Sequence, residues 1–328
     1  MKKSLLLLLA LVSFFMACET VVEVELPEQV PKLVPYAIVE ADCTFIVRLS
    51  QSQSILSQQD VQFVPDAEIL LYQDENEVDR LEPYGEDPEL GIYQTSFRPS
   101  SGHTYTLKIN KAGFSPVEAQ TYLEPAVPIQ TLRYDTVQYT YGYQDESGNY
   151  SEKTGTRLDE VWLTFKDRPE EDNYYEISVL QYEDRFVSEQ QENGEYIITD
   201  TIATLLPQQI TSEDPAVKDD SFFEDDDDWG DYSLFFTDEL FAGKEYTIKF
   251  SMFLPSYYTR YNEQSPEYFI VLRNLNRDYY LYRKSYELQN ETEDNPFAEP
   301  VPVFNNIEGG YGIFAGFSSD TETILLEE

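Results

Sequence analysis

The chain has 328 residues, enough for two domains of ordinary size, and is 41% hydrophobic, enough for packed cores rather than disorder. Its 62 acidic side chains against 22 Lys and Arg give a formal charge of −40, which repels phosphate backbones and excludes nucleic acid as a partner. With one histidine and two cysteines, a multi-histidine zinc centre within the chain is excluded as well.

Lys2 and Lys3 precede an apolar run from Leu5 to Val12, and Ala17 stands directly before Cys18. The run is too short for a permanent membrane span, so residues 1–17 read as a signal peptide. The small residue before the cysteine resembles a bacterial lipobox. That resemblance implies that Cys18 is diacylated and becomes the first residue of the mature chain. Residues 18–32 then read as an extended tether of Val, Glu and Pro. With Cys18 lipidated, Cys43 has no intramolecular partner. It sits in a strand-like stretch and is expected to be a buried, inert thiol.

Residues 33–122 predict a first β-sandwich. Candidate strands at 33–40, 44–50, 67–72, 91–97, 104–110 and 116–122 are rich in Val, Ile, Tyr, Phe and Thr, with turn signals between them. Alternation is clearest in Thr104-Tyr105-Thr106-Leu107-Lys108-Ile109. Pro65–Leu71, Gly91–Tyr93 and Gly102–Leu107 resemble immunoglobulin-like or carboxypeptidase-regulatory-like sandwiches, which implies a spacer or docking module. Pro125 and Pro128 mark residues 123–130 as a stiff linker.

Residues 131–328 predict a second β-rich domain with one helix. Strands are expected at 131–140, 158–166, 173–182, 232–236, 244–254, 267–275 and, closing the sheet, 321–326, with a polar, Tyr-rich loop from 141 to about 150 and a tail from 295 to 317 that reads as irregular and then strand-like. Asn193-Gly194 centres a hairpin within 185–204. At 276 the period changes: Asn276 caps a helix over 276–289, with Tyr279, Tyr282 and Tyr286 at helical spacing. The whole chain is thus mainly β.

The C-terminal strings Asp278-Tyr279-Tyr280, Asn295-Pro296-Phe297, Asn306-Ile307-Glu308-Gly309-Gly310 and Gly312-Ile313-Phe314 resemble a Bacteroidota lipoprotein family, domain of unknown function 4249. So do Asp167 with Asn173-Tyr174-Tyr175-Glu176, and Asp238 with Phe241-Ala242-Gly243-Lys244. The family has no established activity. The resemblance implies an outer-membrane lipoprotein working beside a TonB-dependent transporter. Glu19, Glu23 and Glu25 resemble the acidic signal that sends such lipoproteins to the cell surface.

Three candidate sites stand out. The acidic run 224–231 offers Asp225, Asp227 and Asp231 as calcium ligands, although Trp229 and Phe236 break the EF-hand pattern. A solvated charge run competes with that reading. Tyr139, Tyr141 and Tyr143, and separately Tyr257, Tyr258 and Tyr261, offer rigid amphipathic area for a protein or sugar contact. Lone His103, in a Ser-Gly-His-Thr turn, reads as a turn residue rather than a catalytic base. The leading expectation is a non-catalytic accessory or ligand-binding lipoprotein on the outer membrane, with no cofactor unless calcium. A structural or adhesive envelope protein is the alternative, and an acidic-site hydrolase the remote one.

Overall fold

A computed structural model of the chain describes residues 30–54, 57, 59–85, 88–144, 150–169, 172–190, 196–217, 232–252, 267–293, 299 and 301–326. Among the described residues the fold is mainly β with a single long helix near the C-terminus. The first seven strands are β1 (Leu33–Glu40), β2 (Phe45–Gln51), β3 (Glu68–Gln73), β4 (Asn76–Pro83), β5 (Ile92–Thr95), β6 (Thr104–Asn110) and β7 (Val117–Tyr122). Alternation puts Ala37, Phe45, Val47, Ile69, Leu71, Leu107 and Ile109 into one core. One layer is β1, β2 and β5; the other is β3, β6 and β7. Strand β4 joins them, pairing with β3 for most of its length and with β5 through Glu82 and Pro83. Its sequence, NEVDRLEP, buries only Leu81, which is why no strand is expected there.

The second half supplies β8 (Ile129–Gln144), β9 (Tyr150–Lys166), β10 (Tyr174–Gln190), β11 (Tyr196–Gln208), β12 (Ile210–Thr211), β13 (Leu234–Thr237), β14 (Glu245–Met252), β15 (Glu267–Leu275), helix α1 (Arg277–Glu293) and β16 (Ile313–Leu325). Strands β12, β14, β9 and β8 form a four-stranded sheet, and β11, β10, β15 and β16 run in order in the larger one. Val161, Leu163 and Phe165 meet Ile177, Val179, Ile270 and Leu272 in a second core. Each such side chain, fully buried, contributes about 1.5–3 kcal/mol.

The two cores are not in series. Strand β16 pairs in parallel with β1 through residues 313–317, and antiparallel with β15 through 317–325. The C-terminal strand therefore knits both sandwiches into one sheet, and Ile307 and Phe314 complete the first core. Residues Lys32–Glu328 form one unit, with 123–130 passing from Leu123 in the first core to Val127 and Ile129 in the second.

Asn276 holds this junction. Its Oδ1 accepts the Tyr279 N–H (2.9 Å), capping α1, and the Gly316 N–H (3.4 Å), while its Nδ2 donates to Thr121 Oγ1 (2.6 Å). The helix runs to Glu293, one turn past the expected end. Tyr279 and Tyr280 pack it on the outer face of the sheet, the first stacked on Phe317 and the second tilted against Tyr174.

Three further expectations change. Cys43 is exposed, because β2 begins at Phe45 and Cys43 belongs to the preceding turn, where Asp42 takes φ 62°. Partial burial and the Glu40 carboxylate still push its thiol upward, away from the reactive thiolate. The stretch 141–150 is not simply a loop: β8 continues to Gln144 and β9 starts at Tyr150. The closing strand begins at Ile313 rather than 321, since its first half is buried on both faces and shows no alternation.

Candidate functional site

Two long hairpins give one end of the second sandwich its character. Strand β9 pairs with β14 only from Glu160 to Lys166, so residues 150–158 pair with β8 alone. Strand β10 pairs with β15 as far as Gln181, and from Tyr182 to Gln190 with β11 alone. Strand β9 ends at Lys166 and β10 begins at Tyr174 after a short connection, so the free halves of both hairpins leave at the opposite end. Each free half adds eight or nine residues, about 25–30 Å at ~3.3 Å per residue.

Tyr268 sits where the two ribbons part. It is 4% exposed, and its hydroxyl bonds to Leu158 of one ribbon and to Gln181 of the other. Burial pushes this phenol upward, while the two hydrogen bonds pull it back. Tyr139 is half-buried, with the Arg157 guanidinium 4.9 Å from its ring centre. Gly155 leaves room for that ring: a Cβ there would lie 3.0 Å from it. On the outer face Tyr182 packs edge-on to Phe269 at 5.5 Å and stays 39% exposed.

Tyr141 and Tyr143 lie along the same ribbon, in register with Lys153 and Ser151. Tyr257, Tyr258 and Tyr261 lie outside the described residues; β14 ends and β15 begins at the ribbon end of the sandwich. Asp225, Asp227 and Asp231 lie outside them too, as does Cys18. Among the described residues no group of three or more His, Cys, Asp or Glu is placed to hold a metal. No helix among them is long and apolar enough to cross a membrane. His103 braces the β3–β4 hairpin: its Nδ1 lies 2.5 Å from Asp74 Oδ2, and this hydrogen bond holds the Asp74 carboxyl below its usual range. Asp74 and Glu75 both take positive φ, as a two-residue hairpin turn of this kind requires. An open cleft of about 400 Å³ on the first sandwich is lined by Asp79, Arg80 and Glu82, charged groups of both signs.

The other end of the second sandwich is closed by a polar lock. Asp167 accepts the Tyr175 hydroxyl and the Gly243 N–H, each at 2.5 Å. Asn173 Nδ2 donates to Asp238 Oδ2 (3.2 Å), and Arg168 pairs with Glu124 (2.5 Å). Burial and the Asp167 carboxylate raise the Tyr175 phenol far above its ordinary range, so it acts as a donor and not as an acid. A third polar knot, around Asn306, binds both backbone groups of Phe314 (2.7 and 2.9 Å). The glycines beside it are forced: a Cβ on Gly312, at φ 118°, would lie 2.1 Å from the Pro35 carbonyl oxygen. Asn295-Pro296-Phe297 lie outside the described residues; the other residues that carry the family resemblance build the scaffold, and the ribbons lie elsewhere.

Residues that sequence reasoning did not single out at the ribbon end are Arg157, Gln181 and Tyr268. Only the pairing of β10 and β15 brings the last two together, and no local pattern announces it. Compared with known proteins, the chain from residue 19 to 323 matches a family model described as a domain of unknown function, DUF4249. No curated protein and no solved structure matches.

Proposed function

The chain belongs to the DUF4249 family, and on that footing we propose that it is a non-catalytic outer-membrane lipoprotein that serves as an accessory or ligand-binding partner of a TonB-dependent transporter at the cell surface. The observation that carries this reading is the distance between two poles. Strand β1 enters at Leu33 and runs parallel to the start of β16, whose far end, Leu325, pairs with Glu267 at the ribbon end. Counting along the strands puts these levels about 50 Å apart at ~3.3 Å per residue. A lipid on Cys18 would hold the first pole, and the tether would let the second reach a neighbour. Confinement to a membrane replaces tight affinity with high effective concentration.

The test is a gentle-detergent pull-down from native membranes with partner identification. Co-purification of an outer-membrane transporter, lost when the ribbon residues 136–158 are shortened, is the expected result. A soluble Cys18→Ser protein is the second expected result; persistent membrane retention of that variant would sink the anchor.

A further inference from the structure

Helix α1 meets the sheet through Tyr279 and Tyr280, which are 9% and 8% exposed. Three other tyrosines at this contact are not consumed by packing. Tyr36 on β1 is 48% exposed and Tyr286 is 45% exposed, with half-buried Tyr282 between them. Tyr36 stands edge-on to Tyr282 at 6.1 Å, and Tyr282 lies nearly parallel to Tyr286 at 6.0 Å and 17°. The spacing 282 to 286 is one helical turn, so the backbone fixes this row.

A polar pair borders the row. Arg283 Nη2 donates to Glu287 Oε1 at 3.1 Å, and the guanidinium lies 4.9 Å from the Phe235 ring centre. Burial raises the Tyr36 phenol, Arg283 draws it back, and Tyr286 pushes it up again. Tyr282 is raised by its own burial and by Tyr36 and Tyr286, and drawn back by Arg283. The Arg283–Glu287 pair thus lies beside a row of partly exposed rings.

From this arrangement we infer a binding platform for a neutral oligosaccharide on Tyr36, Tyr282 and Tyr286, with Arg283 and Glu287 addressing its hydroxyls. The chemistry selects the ligand. Ring faces accept the C–H face of a pyranose, while phenols, guanidinium and carboxylate supply donors and acceptors along its rim. An anionic ligand is disfavoured, because Glu287 already balances Arg283 and the chain carries −40. An apolar peptide is disfavoured, because burying three phenolic hydroxyls without partners costs about 1–3 kcal/mol each. Tyr36 pairs with Ile313, twelve residues along β16 from the Leu325 level of the ribbon end, so the platform stands apart from the ribbons.

Affinity electrophoresis of the full mature chain through gels containing laminarin, xylan, galactomannan or starch tests the inference. Retardation by at least one polysaccharide is expected, falling by about tenfold or more in apparent affinity in Tyr286→Ala and in Tyr36→Ala. Tyr84→Ala, another exposed tyrosine (54%), should leave retardation unchanged. Tyr286→Phe keeps the ring and should retain most of the effect, which separates stacking from a folding defect, and melting curves check the alanine variants. No retardation by any of the four polysaccharides, or retardation that survives in the Tyr36→Ala, Tyr286→Ala double variant, overturns the proposal.

Discussion

The junction between the sandwiches and the ribbons at the far end are built on opposite principles. At the junction neighbours from distant sequence meet: Gly316 lies against Val39 and Leu123, and Asn276 joins the helix, β16 and Thr121. Along the ribbons each strand has one partner strand and no second. The contrast teaches that stability resides in the knit centre, while the periphery is free to carry recognition.

The largest effect should come from the centre. A Cβ at Gly316 would lie 2.2 Å from Leu123 Cδ2 and 2.5 Å from the Val39 carbonyl oxygen. Neither neighbour has space to retreat, since both are in the first core. Gly316→Val is expected to cost more than about 3 kcal/mol and to unfold both sandwiches together. Urea unfolding followed at separate probes in the two cores measures this; two separated transitions would show that the sandwiches fold independently after all. Asn306→Ala should cost somewhat less, about 2–3 kcal/mol, because it strips the partners from both backbone groups of Phe314. A urea midpoint unchanged by this variant would remove Asn306 from the scaffold.

A smaller effect appears in alkali. Burial pushes the Tyr279 phenol from 10.0 up to about 12, with Glu176 adding to it. The folded state therefore holds the proton more tightly than the unfolded chain does. The stabilisation is complete below pH 10 and is lost as pH rises from 10 through about 12. Tyr279→Phe should flatten this part of the pH–stability curve, measured by thermal melting between pH 9 and 12.

How much of this was legible depended on what each segment faces. Strand β6 reads directly, since Tyr105, Leu107 and Ile109 are buried while Thr104, Thr106 and Lys108 are half-exposed. The Asn276 cap reads as well, because capping is a local code. Strand β16 conceals its start at Ile313, because IFAGF is buried on both faces and carries no period of two. Strand β8 conceals its end for another reason: TYGYQ sets a glycine among polar and aromatic residues and so looks like a loop. The site shares that fate. Tyr139 is visible as an aromatic in a polar stretch, but its partner Arg157 reaches it only through the β8–β9 pairing, and Tyr268 only through packing of the other sheet against that hairpin.

The smallest effect on stability should accompany the largest on recognition. Arg157 stacks on Tyr139 at a half-buried site, in a contact of about 1 kcal/mol. Arg157→Ala should therefore lower the unfolding free energy by no more than about 1 kcal/mol, and leave Gly316, Asn306 and the whole junction untouched. If the ribbon is where a partner docks, the same change should weaken co-purification several-fold in a pull-down normalised for folded protein, because a half-buried arginine against an aromatic is the kind of group that anchors an interface. Equal partner recovery with Arg157→Ala and with Tyr139→Ala would place recognition elsewhere on the molecule. A loss of stability as large as that of Asn306→Ala would instead make the ribbon base part of the scaffold, and the division between a knit centre and a recognising periphery would fail.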